Sequence, residues 1–141
     1  YLFSVVLGGV VGGFILGVRS GREEGLVAQV ESNYYTIKVT HAEGNPRIRK
    51  LTLDHLVHSS VNLDDPSYLY YAHEHIQMEF LQLAREASPG PRALVIGGGG
   101  YTFPRYAQEL MPESHVDVVE IDPKVTEVAH TYLDLREDYP N

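Results

Sequence analysis

The sequence contains no cysteine among its 141 residues. Disulfide bonds, thiolate catalysis and cysteine-based zinc sites are therefore excluded. Basic residues are also scarce, because 11 Lys and Arg stand against 19 Asp and Glu, for a formal net charge of -8. Binding to nucleic acid needs a basic surface that displaces counterions, so we expect no nucleic-acid partner. A cationic substrate that carries an amine suits this acidity better.

Several motifs are missing as well. The chain has no G-x-x-x-x-G-K-[ST] loop, no internal repeat and no low-complexity tract. A Walker-type phosphate loop is therefore excluded. The close histidine pairs, His55 with His58 and His73 with His75, could suggest a metal. Residues two apart in a helix point about 200° away from each other, so His73 and His75 cannot share an ion, and we expect no metal site.

Charge is also absent from residues 1–18, and the basic residues Arg19 and Arg22 follow them. This length is about the minimum for a helix that crosses a hydrocarbon core of roughly 30 Å. The pattern predicts the end of a transmembrane segment at 1–18, a linker at 19–25 and a membrane protein whose globular domain is cytoplasmic. A buried soluble helix and a signal-peptide core are the alternatives. Neither end of the sequence looks natural, so we expect a piece of a longer protein. The sequence does not decide whether the protein forms a homo-oligomer.

The rest of the chain predicts two kinds of architecture in succession. β-Branched and alternating runs at 26–30, 34–39 and 48–53 predict a small antiparallel meander of about three strands within residues 26–65. From residue 66 a helical stripe of apolar residues predicts a helix of about five turns. A buried strand at 93–96, a helix at 103–111, a strand at 116–121 and a helix from 123 follow. Strand and helix in alternation predict the first part of a Rossmann-like, doubly wound α/β sheet over residues 66–141.

A glycine cluster lies where the first of these buried strands meets the next helix. Backbone N–H groups at such a place can approach a nucleotide with no Cβ in between. Glu120 ends the following strand 23 residues after Gly97, which is about the spacing at which Rossmann-type folds present an acid to ribose hydroxyls. We therefore predict nucleoside binding by Gly97, Gly98, Gly99, Gly100 and Glu120. Asp122 precedes Pro123, and we interpret it as a helix N-cap.

Aromatic residues and a histidine near the start of the long helix are candidates for substrate contact. A tyrosine face suits an adenine or an ammonium group, and Tyr71 is the best placed, although packing is the alternative. His73 borders the apolar stripe, so core-edge packing and ligand contact both remain open.

Together these residues resemble the spermidine synthase (polyamine aminopropyltransferase) family. The matching pieces, in the family's order and spacing over about residues 26–134, are Glu31-Ser32-x-Tyr34, Leu53-Asp54, the helix from Tyr71 to Glu74, Ile96-Gly97-Gly98-Gly99 and Glu120-Ile121-Asp122. The stretch from Gly97 to Arg105, behind a membrane span, looks most like the bacterial branch that is fused to transmembrane helices.

The resemblance implies a methyltransferase-like fold and aminopropyl transfer from decarboxylated S-adenosylmethionine, a co-substrate, to an amine. It implies that Gly97 to Gly99, Glu120 and Ile121 hold the donor, and that no metal is needed. Residues implied to border the cleft between donor and acceptor are Tyr71, His73, Tyr35, His58 and Tyr101. The family's catalytic aspartate is implied to lie beyond Asn141, so we expect this piece to be inactive alone.

Three positions depart from the family pattern. Gly100 stands where the family has an aspartate that contacts the donor amine, and His58 and Tyr35 replace glutamines. The sequence therefore does not decide whether the donor is decarboxylated. Methyl or aminocarboxypropyl transfer from S-adenosylmethionine is an alternative. A nucleoside-sensing domain without catalysis, attached to a membrane protein, is another.

Overall fold

The computed structural model describes residues 24–137. Its first part is an antiparallel sheet whose strands follow chain order. The strands are β1 (Leu26–Glu31), β2 (Thr36–Ala42), β3 (Asn45–Leu53) and β4 (Leu56–Asn62). The predicted meander is thus one strand short, because β4 was missed. The polar residues His58, Ser59 and Ser60 in β4 interrupt the apolar signal on which the prediction relied.

Two-residue turns join β2 to β3 and β3 to β4. Gly44 in the first turn has a φ of 73°, and Asp54 in the second has a φ of 54°. The second turn is supported by the Asp54 side chain, which accepts a hydrogen bond from the backbone N–H of Thr36 at 2.9 Å. This contact offsets the backbone strain of a non-glycine residue in the left-handed region.

The second part alternates helix and strand, as predicted. In chain order it contains α1 (Ala72–Ala87), β5 (Arg92–Ile96), α2 (Thr102–Leu110), β6 (His115–Val119) and α3 (Pro123–Tyr132). Strands β5 and β6 pair in parallel, in register from Arg92 with His115 to Ile96 with Val119. The carboxyl ends of both strands therefore meet at one edge, where ligands bind in open α/β sheets.

The apolar core has two clusters, and the first of them joins the two parts. Buried residues of β2, β3 and β4, such as Ile37, Leu51 and Val61, pack in one cluster with Val125 and Leu133 of the α3 region. A second cluster, which includes Leu81, Phe103 and Val116, lies between α1, α2 and β6. The four-stranded sheet is thus held against α3 by hydrophobic burial.

Two arginines add polar contacts between the same parts. Arg49 of β3 donates to the backbone carbonyl of Tyr132 at the end of α3. Arg105 of α2, whose side chain is only 3% exposed, donates to the backbone carbonyl of Asn62 in β4 at 3.5 Å and also pairs with Asp134 at 3.4 Å. The Arg49 contact supplies a hydrogen-bond donor to a carbonyl at the C-terminal end of α3, which has no partner within the helix.

The apolar stripe predicted for the long helix is largely exposed within residues 24–137. Ile76, Phe80 and Leu83 are 57%, 68% and 59% exposed, whereas Leu81 is 4% exposed. The helix begins at Ala72 and packs through Leu81 and Met78. The periodicity predicted the helix, but the described residues contact a different side of it.

No helix among the described residues is long and apolar enough to cross a membrane. This finding goes against the predicted membrane location, and we withdraw that prediction. The predicted span at residues 1–18 and most of the linker at 19–25 lie outside the described residues.

Truncation of the core leucine in β3 tests this arrangement. Leu51 is 0% exposed, and Leu51→Ala should lower the free energy of unfolding by about 2–5 kcal/mol because it leaves a cavity. Urea denaturation measures the change. Val57→Ala, at a site 47% exposed, is the control and should cost about 0.5 kcal/mol or less. Equal effects of the two substitutions would contradict the assignment of the core.

Candidate functional site

An open cleft of about 750 Å³ lies at the carboxyl ends of β5 and β6. The four-stranded sheet contributes Tyr35, Leu53, His58 and Ser59 to its lining, and α1 contributes His73 and Glu74. The parallel strands and α2 supply the remaining residues, which are Val95, Ile96, Gly97, Gly98, Gly99, Thr102, Phe103, Pro104, Val119, Glu120 and Ile121. The cleft therefore combines apolar walls with a few polar groups, which is typical of a small-molecule site.

The glycine loop, residues 97–100, turns the chain from β5 into α2. Gly97 and Gly99 have φ angles of 91° and 51°, which favour glycine. The backbone N–H of Gly97 donates to the carbonyl of Val119 at 2.8 Å, which extends the pairing of β5 and β6 by one residue. Three of the four glycines predicted to bind a nucleoside, Gly97 to Gly99, line the cleft.

Glu120 lies directly after β6 and faces this loop. One carboxylate oxygen accepts a hydrogen bond from the backbone N–H of Gly98 at 2.6 Å, and the other accepts from the N–H of Asp122 at 2.9 Å. Each oxygen of a carboxylate can accept two hydrogen bonds, so acceptor capacity remains for the hydroxyl groups of a ligand. The two amides fix the direction in which this carboxylate points.

Two of the predicted site residues, Gly100 and Tyr101, do not line the cleft. A Cβ on Gly100 would lie 2.5 Å from the Cβ of Ser59, so β4 occupies that space. Tyr101 is 7% exposed and lies behind the loop, where its ring would come within 2.4 Å of a Cβ on Gly98. Its hydroxyl is 2.7 Å from that of Thr126 in α3.

Tyr71, His73 and Glu74 lie close together at the start of α1. His73 lines the cleft, whereas Tyr71 does not and instead stacks on His73 with ring centroids 5.5 Å apart. Burial raises the pKa of Tyr71, and the nearby Tyr70 and Glu74 add to the effect. The ring of Tyr71 therefore lies behind His73 and does not line the cleft itself.

Glu74 is a cleft residue that the sequence analysis missed. It is 3% exposed, accepts a hydrogen bond from the backbone N–H of Tyr71 at 2.9 Å, and accepts another from the hydroxyl of Thr102. A glutamate three residues after the N-cap of a helix is the signal of a capping box, and this signal could have located it. Its carboxylate fastens the start of α1 to the start of α2.

The remaining predicted cleft residues, Tyr35, His58 and Ile121, line the cleft. Asp122 is confirmed as the N-cap of α3, because its side chain accepts a hydrogen bond from the N–H of Lys124 at 2.9 Å. His75 contacts the carbonyl of Leu69 at 2.9 Å. In the described part of the chain, no group of three or more His, Asp or Glu could hold a metal ion.

Comparison with known proteins finds polyamine aminopropyltransferases among the sequences similar to this chain. A polyamine aminopropyltransferase of Chromobacterium violaceum is 35% identical over 97 residues, which are 68% of this chain and 35% of that protein. One from Vibrio vulnificus is 52% identical over 47 residues, which are 33% of this chain and 16% of that protein. No family model matches the chain.

Solved structures agree on the fold. A probable spermidine synthase from Corynebacterium glutamicum has a TM-score of 0.71 at 19% identity, covering 79% of this chain and 41% of that one. A spermidine synthase in complex with the transition state analogue AdoDATO has a TM-score of 0.56 at 19% identity, covering 77% of this chain and 34% of that one.

These relatives support the spermidine synthase (polyamine aminopropyltransferase) family for this chain. The α/β fold is similar to that of spermidine synthases. The chain spans between 16% and 35% of the length of the two sequence relatives. The sequence relatives therefore extend well beyond the region that matches this chain.

The contact between Gly98 and Tyr101 predicts a non-additive pair of substitutions. Gly98→Ala should destabilise the protein by about 1–3 kcal/mol, because the added methyl meets the Tyr101 ring. Tyr101→Ala should also destabilise it, by about 3–5 kcal/mol through the lost burial. In the double variant the ring is gone, so the total should be smaller than the sum. Urea denaturation of all four proteins measures the coupling, and strict additivity would contradict the contact.

Tyr101 also predicts a dependence of stability on alkaline pH. Burial raises the pKa of its phenol above 10.0, against the opposing effect of the Thr126 hydrogen bond. Above about pH 10 the unfolded chain releases this proton before the folded one does, so stability falls as the pH rises. The advantage of the wild type over Tyr101→Phe should be full at pH 8 and shrink towards pH 11 in urea denaturation. An advantage that grows with pH would contradict this assignment.

Proposed function

We propose that this chain carries the nucleoside-binding part of a spermidine synthase-like transferase. In this proposal the cleft binds the adenosine portion of decarboxylated S-adenosylmethionine, and an amine accepts the aminopropyl group. The observation that carries the proposal is the carboxylate of Glu120, held by the amides of Gly98 and Asp122 at the mouth of the cleft. The sequence relatives, which are polyamine aminopropyltransferases, support it.

The ribose would lie against Glu120. Its adjacent hydroxyl groups both donate hydrogen bonds, and a carboxylate accepts two such bonds side by side. Because backbone amides already orient Glu120, little side-chain entropy would be lost when a ligand binds. The exposed apolar side chains of Ile96 and Ile121, which are 84% and 64% exposed, would contact the adenine ring.

The transferred group and the acceptor amine would lie between α1 and the four-stranded sheet. Tyr35 and His58 line the cleft from the sheet, and His73 lines it from α1. Aromatic rings and hydrogen-bonding groups of this kind can hold an amine without a metal. Tyr71 would support the ring of His73 from behind, by the stacking contact between the two rings.

The reaction would be a displacement at the carbon beside the sulfonium. The amine nitrogen forms the new C–N bond, the C–S bond breaks with its electron pair going to sulfur, and the amine loses a proton. Since the sulfonium is a good leaving group, alignment of amine and carbon would supply most of the acceleration. The family resemblance implies that an aspartate further along the polypeptide takes the proton.

Gly100 favours a second candidate function. No acidic side chain stands at this position, and Ser59 packs into the space that one would need. An acid there would repel a donor that keeps its carboxylate, so its absence suits S-adenosylmethionine itself. Methyl or aminocarboxypropyl transfer is the alternative that this observation supports.

Binding and turnover of the wild type test the proposal. The protein should bind 5′-methylthioadenosine in calorimetry, and Glu120→Ala should weaken binding about tenfold or more, through loss of a charge-assisted contact. Glu127→Ala is the matched control, because this exposed glutamate of α3 pairs only with Lys124 in the described contacts, and it should bind as the wild type does.

The full-length protein should release methylthioadenosine from decarboxylated donor plus a diamine. Tighter binding of S-adenosylmethionine than of the decarboxylated form would favour the alternative transfer. Binding without product from any amine or methyl acceptor would favour a nucleoside sensor.

A further inference from the structure

Two serines of the four-stranded sheet contact the two loops that line the cleft. One loop is the glycine loop, and the other is the acid loop, residues 120–122, which follows β6. Ser59 of β4 contacts the first, and Ser32, between β1 and β2, contacts the second. These serines lie far from the loops in sequence, by 41 and 90 residues.

Ser59 holds the end of the glycine loop. Its hydroxyl accepts a hydrogen bond from the backbone N–H of Gly100 at 2.7 Å, in a buried contact. The side chain is 4% exposed, and its Cβ packs where a Cβ of Gly100 would be. Gly100 immediately precedes Tyr101 and α2, so this bond fixes where the glycine loop ends relative to β4.

Ser32 holds the acid loop. Its hydroxyl accepts from the backbone N–H groups of Tyr34 and Tyr35 at 3.0 and 2.9 Å, and donates to a carboxylate oxygen of Asp122 at 2.5 Å. Asp122 is 1% exposed, and its other oxygen caps α3. A buried carboxylate needs such partners, so loss of the serine hydroxyl leaves one oxygen unsatisfied.

The contacts continue from both serines to Glu120. The N–H of Asp122 donates to one oxygen of Glu120, and the N–H of Gly98 donates to the other. A closed circuit of hydrogen bonds and short backbone segments therefore runs from the sheet through Asp122, Glu120, Gly98 and Gly100 back to the sheet.

We propose that Ser32 and Ser59 are positioning residues, which set the Glu120 carboxylate for the ribose hydroxyl groups. The inference rests on the proposed nucleoside binding. It assigns to the four-stranded sheet a role in recognition of the ribose, in addition to the cleft wall that it supplies. Ser32 exerts this role without lining the cleft.

The neighbouring Ser60 provides a matched control. It is 1% exposed, and its buried hydroxyl has no hydrogen-bond partner among residues 24–137. Ser60→Ala removes the same atom from the same strand as Ser59→Ala, with no contact to either loop. Ser32→Thr is the conservative variant, because it keeps the hydroxyl at a position that is only partly buried.

The test measures the affinity of each protein for adenosine and for 2′-deoxyadenosine by calorimetry. The wild type should prefer adenosine. Ser32→Ala and Ser59→Ala should each weaken adenosine binding about tenfold, roughly the effect of one lost hydrogen bond. They should weaken deoxyadenosine binding less, so the preference for adenosine falls. Ser60→Ala should keep both affinities, and Ser32→Thr should restore the preference.

If the serines had only a structural role, the alanine variants would have a lower melting temperature and would lose affinity for both nucleosides equally. This result would overturn the inference but not the proposed nucleoside binding. Variants with unchanged preference would overturn it in the same way. A wild type that binds neither nucleoside would overturn the proposed function and this inference with it.

Discussion

The arrangement of the cleft depends on the carboxylate of Glu120 and the two backbone amides that bind it. Strands β5 and β6 bring the glycine loop and the acid loop to one edge of the sheet, and the carboxylate then joins the loops through Gly98 and Asp122. A negative charge shared between two amides is held more firmly than one left to solvent, because charge-assisted hydrogen bonds are the stronger kind. In the proposed function, the group that orders the loops also binds the ribose.

Around this contact the protein places one polar side chain from each neighbouring element. Glu74 fastens α1 to α2, Ser59 fastens β4 to the glycine loop, and Asp122 begins α3 while it contacts Ser32. Glu74, Ser59 and Asp122 are all buried. Because buried polar groups need partners, each contact favours one arrangement of the backbone over its alternatives. The cleft is thus shaped before any ligand arrives.

Much of this architecture follows from local sequence. Alternation of apolar residues located β2, a short apolar run located β5, and the glycines with Glu120 located the cleft edge, because these signals act over a few residues or a fixed spacing. These signals failed where contacts between residues distant in sequence determine which side chains line the cleft. Nothing near Ser59 or Gly100 shows that one fills the space of the other, and Tyr101 reads as a cleft residue until α3 is placed beside it. The helical stripe of α1 predicted a helix correctly, but burial depends on which elements lie alongside.

The glycines of the loop differ in what replaces their missing side chains. At Gly98 the space is filled by the ring of Tyr101, and at Gly100 by Ser59, whereas Gly97 has open space beside it. Side-chain volume is therefore shared between partners that lie on different elements. An engineered library aimed at a new ligand would have to vary residues 98 and 101 together, and likewise 59 and 100. Substituting residue 98 or 100 alone would place the new side chain against the Tyr101 ring or against Ser59.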